Sequence, residues 1–547
     1  MSNSNILRGT MLLTGATFFS KFLGMLYVIP FFALVGSEGG ALFQYGYTPY
    51  NIMLTISTVG LPLAISKFVS KYNSLGDYQT GRRMYRSAMI FMSITGFLSF
   101  LILYLGAETI AHWILPVDEI PEGATLADSV EDITIVIQMV SFALLLIPGM
   151  SLTRGFFQGY ESMGPTAISQ VVEQIVRILF LLSAAFLVVK VFEGSIATAV
   201  SFATFAAFVG AIASCIVLWF YWKKRKSHLD KQLALQTTTH DLSNWEMFKE
   251  LFSYAGAFVL VGMATPLYQF VDLVTFKRAM IGINQGDISD IAYAAITLYG
   301  HKLVIIPVTL ATGLSLAVLP ALTKSFVSDV KNEVYQQINQ AFQVILLLVV
   351  PAAIGIALLS YEAYGTLYSL ENIDLTGMLL RWYAPVAILY AFFVVSASVL
   401  QGINQQRFAV VSLGIGFAVK ALSNIPLITF LGPKGSVIAT GLAVLSAVIA
   451  NFWRIKYTID FPFKQLFKRG ALVAMFTIAM ALVVLVLKWG LNVSFALSDS
   501  RMGSLLVLVL CSIVGAIMYL WLAYKSSLLE RVLGNRVKKI ERIFRRG

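Results

Sequence analysis

The stretch that decides the fold is residues 341–359, which read AFQVILLLVVPAAIGIALL. It carries no charged side chain, and as an α-helix it is long enough to cross a hydrocarbon core of about 30 Å. Similar apolar runs recur from one end of the chain to the other. We therefore predict an all-α polytopic membrane protein with about fourteen transmembrane helices, at residues 10–33, 41–65, 87–110, 132–153, 166–189, 195–222, 251–276, 291–322, 335–359, 377–400, 407–430, 435–456, 470–489 and 503–524.

The overall composition agrees with this interpretation. Of the 547 residues, 58% are hydrophobic and only 12% are charged, whereas soluble proteins carry about 25% charged residues. The net charge is +12, but the basic residues lie in short loops and a tail, so we expect no nucleic-acid partner. Cys215 and Cys511 both lie in apolar runs, so we expect no disulfide and no metal site. No cleavable secretory signal is evident, and the first run is predicted to be a permanent helix.

Lysine and arginine are concentrated in one set of loops, which the positive-inside rule assigns to the cytoplasm. The alternate loops are acidic or neutral, as at Asp118, Glu119 and Glu122. With an even number of helices, both termini are predicted to be cytoplasmic in a multi-pass protein of the bacterial plasma membrane. The basic loop and tail residues include Lys67, Lys71, Arg82, Arg83, Arg86, Lys223, Lys224, Arg225, Lys226, Lys324, Lys331, Arg454, Lys456, Lys464, Lys468, Arg469, Lys525, Arg531 and Arg536.

An internal repeat predicts two pseudo-symmetric six-helix lobes of the same orientation, followed by two further helices. GLPLA at 60–64 matches GLSLA at 313–317, and RGFFQG at 154–159 matches SVLQG at 398–402. Parallel repeats of this kind are typical of transporters that bind substrate between the lobes. The predicted boundaries are an N-terminal lobe at 1–222, a cytoplasmic linker at 223–250, a C-terminal lobe at 251–456, helices thirteen and fourteen at 457–524 and a basic tail at 525–547.

Within the linker, Ser243 and Glu246 have the spacing of a capping box that begins a helix. Its apolar face carries Phe248, Leu251 and Phe252. We interpret it either as an amphipathic helix on the inner membrane surface or as the start of helix seven.

Charges inside membrane spans are costly and mark candidate functional residues. Lys21 and Lys302 lie deep in helices one and eight, where their ammonium groups are suited to hold a phosphate or diphosphate in a cationic cavity. The alternative is that each lysine extends to the membrane surface or pairs with a neighbour. His301, beside Lys302, is assigned a packing or gating role.

Two further pairs of charges have both structural and functional interpretations. Glu173 and Arg177 are spaced i, i+4, which favours an intrahelical ion pair, although Arg177 can also line the cavity. Asp272 and Lys420 are predicted to pair across helices seven and eleven, or to serve a coupling cation. Near the inner surface, polar side chains form an inner gate or contact lipid headgroups: Arg154, Gln158 and Gln401.

The sequence lacks the motifs of soluble enzymes that bind ATP phosphates or catalytic zinc, namely Gly-x4-Gly-Lys-Ser/Thr and His-Glu-x2-His. We therefore expect no enzymatic activity, no cofactor and no metal. Transport would draw on an ion gradient, the membrane potential or the substrate gradient.

Four local motifs carry a resemblance to a known family: SKFLG at 20–24, ALFQYGY at 41–47, RGFFQG at 154–159 followed by Gly164-Pro165, and YGHKL at 299–303 followed by Pro307. With these motifs the chain resembles the MurJ (MviN-type) lipid II flippases of the multidrug/oligosaccharidyl-lipid/polysaccharide exporter superfamily. It is similar to the Gram-positive form and to SpoVB-like proteins, over nearly its whole length.

The resemblance implies a central cationic cavity that moves the lipid II headgroup by alternating access, with the polyprenyl tail in a groove of helices thirteen and fourteen. Lys21 and Lys302 match cavity arginines of the family, whereas two further family arginines fall near Tyr27 and Met53. Asp272 matches an acidic sodium-binding position in some members, and Lys420 occupies the region of the second. The implied partners are lipid II, membrane lipids and cell-wall synthesis proteins.

The sequence leaves four alternatives to consider. One, a membrane-embedded transferase, has no cluster of catalytic carboxylates to support it. The nearest is a flippase for another polyprenyl-diphosphate-linked oligosaccharide. A cation-drug antiporter of the same superfamily normally has twelve spans and acidic cavity residues, which the sequence does not match. A non-transporting scaffold for cell-wall synthesis would not require Lys21 or Lys302.

Overall fold

A computed structural model of the chain describes residues 3–58, 60–115, 129–234, 236, 243, 245–247, 249–251, 263–495 and 500–533. Over these residues the chain is helical and contains no β-strand, so the predicted all-α class is confirmed. It divides into two compact units, Met1–Ile281 and Gly282–Gly547. This division falls later than the predicted lobe boundary, and the finer domain limits stay a prediction.

The described part of the first unit consists of helices, several of which form apolar stretches long enough to cross a membrane. A 3₁₀ turn at Phe142–Leu145 precedes α7, and a π-turn at Leu187–Val191 follows α8. The helices are α1 Asn3–Leu26, α2 Val28–Thr58, α3 Leu61–Ser74, α4 Tyr78–Leu105, α5 Ala107–Ile114, α6 Val130–Ser141, α7 Ile147–Gly159, α8 Met163–Phe186, α9 Ile196–Ala234 and α10 Ala264–Gly282, whose last residue opens the second unit.

The described part of the second unit is likewise helical. A π-turn at Ala295–Tyr299 joins its first two helices. The helices are α11 Ser289–Ala294, α12 Gly300–Val327, α13 Lys331–Leu358, α14 Ser360–Leu367, α15 Ile373–Tyr383, α16 Val386–Gly402, α17 Gln406–Leu431, α18 Lys434–Ile459, α19 Lys464–Phe495, α20 Arg501–Lys525 and α21 Leu528–Leu533.

Twelve helical stretches among the described residues are long and apolar enough to cross a membrane. One of them, Leu12–Ser74, is 63 residues long and comprises most of α1 together with α2 and α3, where the sequence predicts two spans. Residues 252–262, in the predicted span 251–276, lie outside the described residues, as do Asp118, Glu119, Glu122 and the tail beyond residue 533. The predicted polytopic fold of about fourteen helices agrees with this arrangement.

In the first unit, α7 packs against α3 through two glycines. Gly60, with φ 66°, is the residue immediately before α3. Pro62 lies in the first turn of α3, where it costs no helical hydrogen bond. A Cβ atom on Gly155 would lie 2.2 Å from the Pro62 carbonyl oxygen, and one on Gly159 would lie 2.7 Å from the Val69 Cβ. The two glycines therefore allow the helix backbones to approach closely.

The second unit contains the equivalent contact between α12 and α16. The Ser315 and Ser398 hydroxyls are hydrogen-bonded to each other, and a Cβ atom on Gly402 would lie 2.7 Å from the Leu322 Cδ2. These four residues have the same spacings along their helices as the four residues of the first unit. The internal repeat thus recurs as matching helix contacts, although α12 runs without a break where the first unit has Gly60.

The linker forms the capping box that its sequence predicts. The Glu246 N–H donates to the Ser243 Oγ at 3.2 Å, and the Ser243 N–H donates to the Glu246 carboxylate at 2.8 Å, which lowers the pKa of that carboxyl group. Met247 and Leu251 are buried in a core cluster with residues of α3. The described part of the predicted apolar face therefore packs on the first unit. Two further residues of that face lie outside the described residues, Phe248 and Phe252.

The hairpin of α19 and α20 packs on α13 and α14 of the second unit. The Tyr519 hydroxyl donates to the Leu347 carbonyl oxygen at 2.8 Å, and Lys488 Nζ lies 2.9 Å from the Glu362 carboxylate. An apolar cluster of residues from α13, α19 and α20 fills the contact. These contacts attach the two C-terminal helices to the second unit, and the predicted tail groove stays a prediction.

Candidate functional site

One face of α8 carries four polar side chains, Gln170, Glu173, Gln174 and Arg177, and this face meets α1. The Thr17 hydroxyl donates to Gln170 Oε1 at 3.2 Å. About two turns further along α1, a Cβ atom on Gly24 would lie 3.2 Å from Gln174 Nε2. The two helices are thus in contact along this polar face.

Lys21 lies on the side of α1 that faces these side chains. It follows Thr17 by four residues and precedes Gly24 by three, and residues at these spacings share a helix face. Its side chain is exposed and forms no hydrogen bond or ion pair with the residues that the structure describes. The ammonium group is therefore available to a ligand.

Glu173 pairs with Arg154 of α7, which corrects the predicted intrahelical pair with Arg177. The Arg154 Nη2 lies 2.7 Å from the Glu173 carboxylate and 2.8 Å from the Ser214 hydroxyl of α9, and the Nε donates to the Ser169 hydroxyl at 2.9 Å. The guanidinium that the sequence assigns to an inner gate thus joins α7, α8 and α9 within the first unit.

Arg177 forms no ion pair with Glu173 among the described residues, although Glu173 is near enough to interact with it electrostatically. It donates to Gln174 Oε1 at 2.6 Å, and the phenols of Tyr27, Tyr47 and Tyr50 lie close enough to interact electrostatically with its guanidinium. The Tyr47 and Tyr50 rings are themselves in contact, with centroids 5.4 Å apart. Lys21 and Arg177 therefore supply two cationic groups to the polar region of the first unit.

Charge alone did not identify the neutral members of this region, Gln170, Gln174, Tyr47 and Tyr50. The available signal was periodicity. Polar residues at 170, 173, 174 and 177 recur at helical spacing within an otherwise apolar span, which is typical of a helix that faces a polar environment inside a membrane protein.

In the second unit, His301 and Lys302 follow a π-turn at Ala295–Tyr299. The His301 Nδ1 and the Tyr383 hydroxyl are 2.7 Å apart, and their rings are stacked. Lys302 is half-buried. π-Turns are frequent at functional sites because the extra residue changes the direction of the side chains that follow. The π-turn ends three residues before Lys302, the predicted cationic position.

Lys420 is fully buried on α17, and its ammonium group contacts oxygen acceptors of Asn424, Ser436 and Thr440. Nζ lies 3.0 Å from the Asn424 Oδ1, 3.0 Å from the Ser436 carbonyl oxygen and 2.8 Å from the Thr440 hydroxyl. Asp272, also buried, belongs to the first unit, whereas Lys420 belongs to the second. The predicted pairing of Asp272 with Lys420 stays a prediction.

The other predicted gate residues lie at the ends of α7 and α16. Gln158 is half-buried, and the Gln401 Oε1 is buried without a hydrogen-bond partner among the described residues. The described residues contain no group of three or more histidine, cysteine or acidic side chains that could hold a metal ion. The candidate site contains cations, amides and phenols together with the Glu173 carboxylate and the His301 imidazole.

Membrane-length helices in two repeated units, each with intramembrane cations, define a multi-pass membrane transporter. The family model for polysaccharide biosynthesis proteins matches residues 6–326. The chain is 46% identical over 547 residues to the lipid II flippase MurJ of Bacillus subtilis (strain 168), covering 100% of this chain and 99% of that one. The chain belongs to the polysaccharide biosynthesis protein family, and within it to the MurJ group.

More distant similarities agree with this assignment. Stage V sporulation protein B of Bacillus subtilis (strain 168) is 24% identical over 459 residues, which cover 82% of each chain. A solved structure described as lipid II flippase MurJ in an inward closed conformation matches with a TM-score of 0.65 and 16% identity, covering 96% of this chain and 99% of that one. The structural similarity supports the fold.

Proposed function

We propose that this protein moves lipid II from the inner to the outer leaflet by alternating access and performs no catalytic step. The full-length identity to a lipid II flippase supports the substrate. The observation that carries the proposal is the exposed Lys21 ammonium on the face of α1 that meets the polar side of α8. A free cation inside an apolar helix is costly unless it serves a ligand.

The diphosphate of the substrate would be held by Lys21, Arg177 and Lys302 in a central cationic cavity. Ammonium and guanidinium groups form charge-assisted hydrogen bonds to phosphate oxygens. The amides and phenols around Arg177 add donors that suit sugar and phosphate oxygens. In this proposal His301, held by Tyr383, positions the cation beside it.

We further propose that the Lys420 ammonium takes the place of a mobile coupling cation. Its acceptors, Asn424, Ser436 and Thr440, are oxygens of the kind that bind a small cation. A tethered ammonium would keep this position charged throughout the transport cycle. The chain would then use the membrane potential or the substrate gradient as its energy source. Separately, we propose that both termini lie in the cytoplasm.

The test is complementation of cells depleted of their lipid II flippase. Wild type, Lys21→Ala, Lys302→Ala and Lys249→Ala would be compared at matched membrane abundance, with Lys249 as an exposed lysine outside the membrane spans. We expect wild type and Lys249→Ala to restore growth and both cavity variants to fail, because each loses a phosphate-binding cation.

Rescue by all four proteins would overturn the cavity assignment and leave the substrate in place. Failure of wild type despite normal abundance would overturn the substrate. In that case the family description, polysaccharide biosynthesis protein, favours a second candidate, a flippase for another polyprenyl-diphosphate-linked oligosaccharide. A scaffold for cell-wall synthesis proteins would restore growth without either cavity lysine.

A further inference from the structure

An apolar crevice opens between α4, α7 and α9 in the inner half of the first unit. Its volume is about 320 Å³, within the range of small-molecule pockets. Met89, Leu145, Gly149 and Cys215 belong to its lining, and Trp222 lines the end nearest Lys223. From Cys215 to Trp222 the wall follows two turns of α9, about 10 Å. The crevice is therefore elongated along the helix axis.

The floor of the crevice depends on Gly149. A Cβ atom at this position would lie 3.2 Å from the Met89 Sδ, so a larger side chain would fill the space. Near the cytoplasmic end, the Tyr85 and Thr153 hydroxyls are hydrogen-bonded to each other at 3.0 Å. With these hydroxyls paired, the lining is suited to an apolar chain.

A second, cationic pocket is lined by residues of α9. Its lining begins at Lys223, the residue after Trp222 of the crevice. Its lining includes Lys223, Lys226 and Lys231. The Lys223 ammonium lies 5.5 Å from the centre of the Trp219 ring, and Trp219 also lines the crevice. Residues 219, 223 and 226 are spaced i, i+4, i+7, so the two pockets form one continuous stripe along the helix.

The charge of this second pocket is positive. The one carboxylate in its lining, Asp230, lies 2.9 Å from the Arg82 Nη1 of α4. The membrane-length part of α9 ends at Ser227, so the lysines stand where lipid headgroups lie. Lysines at this level attract anionic headgroups.

We propose that this stripe binds one anionic glycerophospholipid of the inner leaflet, with an acyl chain in the crevice and the phosphate on Lys223 and Lys226. The site is separate from the proposed transport site, because none of its residues belongs to the polar face of α8. The bound lipid would hold α4, α7 and α9 together at the cytoplasmic end of the first unit.

The test is the shift in thermal midpoint of the purified full chain in detergent on titration with a short-chain phosphatidylglycerol. Two matched probes are phosphatidylcholine of the same chain length and glycerol phosphate without chains. We expect phosphatidylglycerol to raise the midpoint at the lowest concentration. Each lysine near an anionic headgroup contributes about a fivefold change in affinity, so Lys223→Ala/Lys226→Ala should bind about thirtyfold more weakly.

The charge-matched control is Lys224→Ala/Lys249→Ala, which removes two exposed lysines outside the pocket. Gly149→Leu tests the crevice, with Gly164→Leu as its control because Gly164 has open space around it. Trp219→Ala tests the link between the pockets if Gly149→Leu does not fold. Equal responses to phosphatidylglycerol and phosphatidylcholine, an equal response to glycerol phosphate alone, or an unchanged Lys223→Ala/Lys226→Ala protein would each overturn the proposal.

Discussion

The Arg154–Glu173 contact illustrates how a charged pair is accommodated among apolar helices. Both side chains are largely buried, with side-chain exposures of 14% and 16%. The Ser169 and Ser214 hydroxyls accept further hydrogen bonds from the guanidinium. Removing one partner of such a pair leaves an uncompensated charge, which is more costly than the pair itself is favourable.

Glu173→Gln should therefore destabilise the protein by about 3–5 kcal/mol, because Arg154 would keep its charge and lose its carboxylate. The thermal midpoint of the purified protein in detergent measures this effect. Glu371→Gln is the control, since Glu371 is exposed. An equal midpoint for both variants would show that the Arg154–Glu173 pair adds nothing to stability.

The sequence identified the charged residues of the site but not their contact partners. Glu173, Arg177, Lys21 and Lys302 were identifiable because charges inside apolar runs are conspicuous. The partner of Glu173 was not identifiable, because Arg154 lies on α7. Of the two serines that accept hydrogen bonds from Arg154, Ser169 lies on α8 and Ser214 lies on α9. The i, i+4 rule weighs only neighbours on one helix.

At the scale of elements, the contact of α3 with α7 depends on the absence of a side chain. Gly155 lies against the Pro62 carbonyl oxygen, a backbone atom that cannot rotate away. The same backbone approach is not needed at Gly164, where a Cβ atom would have no neighbour within 4 Å. The two glycines thus form a matched pair for testing helix packing.

Gly155→Ala should lower the free energy of unfolding by about 1–3 kcal/mol, the usual cost of overpacking a close contact. Gly164→Ala should leave it unchanged or slightly raised, because alanine favours the helix. Thermal unfolding of the two variants beside wild type measures the difference. Equal midpoints for the two variants would contradict the close packing of α7 on α3.

Elements were the level at which the sequence was most informative. Apolar runs predicted the helices, the Ser243–Glu246 spacing predicted the capping box, and the motif at 60–64 predicted the repeat. The π-turn at Ala295–Tyr299 was not predicted, because an extra residue within a helix leaves the local hydropathy unchanged. The apolar face of the linker helix was recognisable, but its burial against α3 depends on tertiary contacts.

For the whole molecule, the energy source is the property that links the site to transport. Lys420 sits among oxygens in the second unit, and its charge is fixed to the chain. A transporter that carries such a built-in cation does not require a dissolved one at that position. Independence from a dissolved cation depends on the proposed role of Lys420, and it can be measured separately from the identity of the substrate.

Substrate movement in proteoliposomes should proceed equally fast in sodium and potassium buffers at the same membrane potential. Imposing a potential should change the rate, since one charge crossing 100 mV corresponds to about 2.3 kcal/mol. The rate of appearance of lipid II at the outer surface is the measurement. A strict requirement for sodium would refute the role proposed for Lys420.

The two units make corresponding helix contacts with different chemistry. One half joins its helices by a glycine against a carbonyl, and the other half joins them by two serine hydroxyls at the same place. A Gly155→Ser change would bring a side chain against Pro62, and Ser398→Gly would deprive Ser315 of its partner. Each contact depends on both of its residues, Gly155 with Pro62 in one half and Ser398 with Ser315 in the other. We therefore expect a residue of one half to replace its counterpart only when the residue it contacts is exchanged as well.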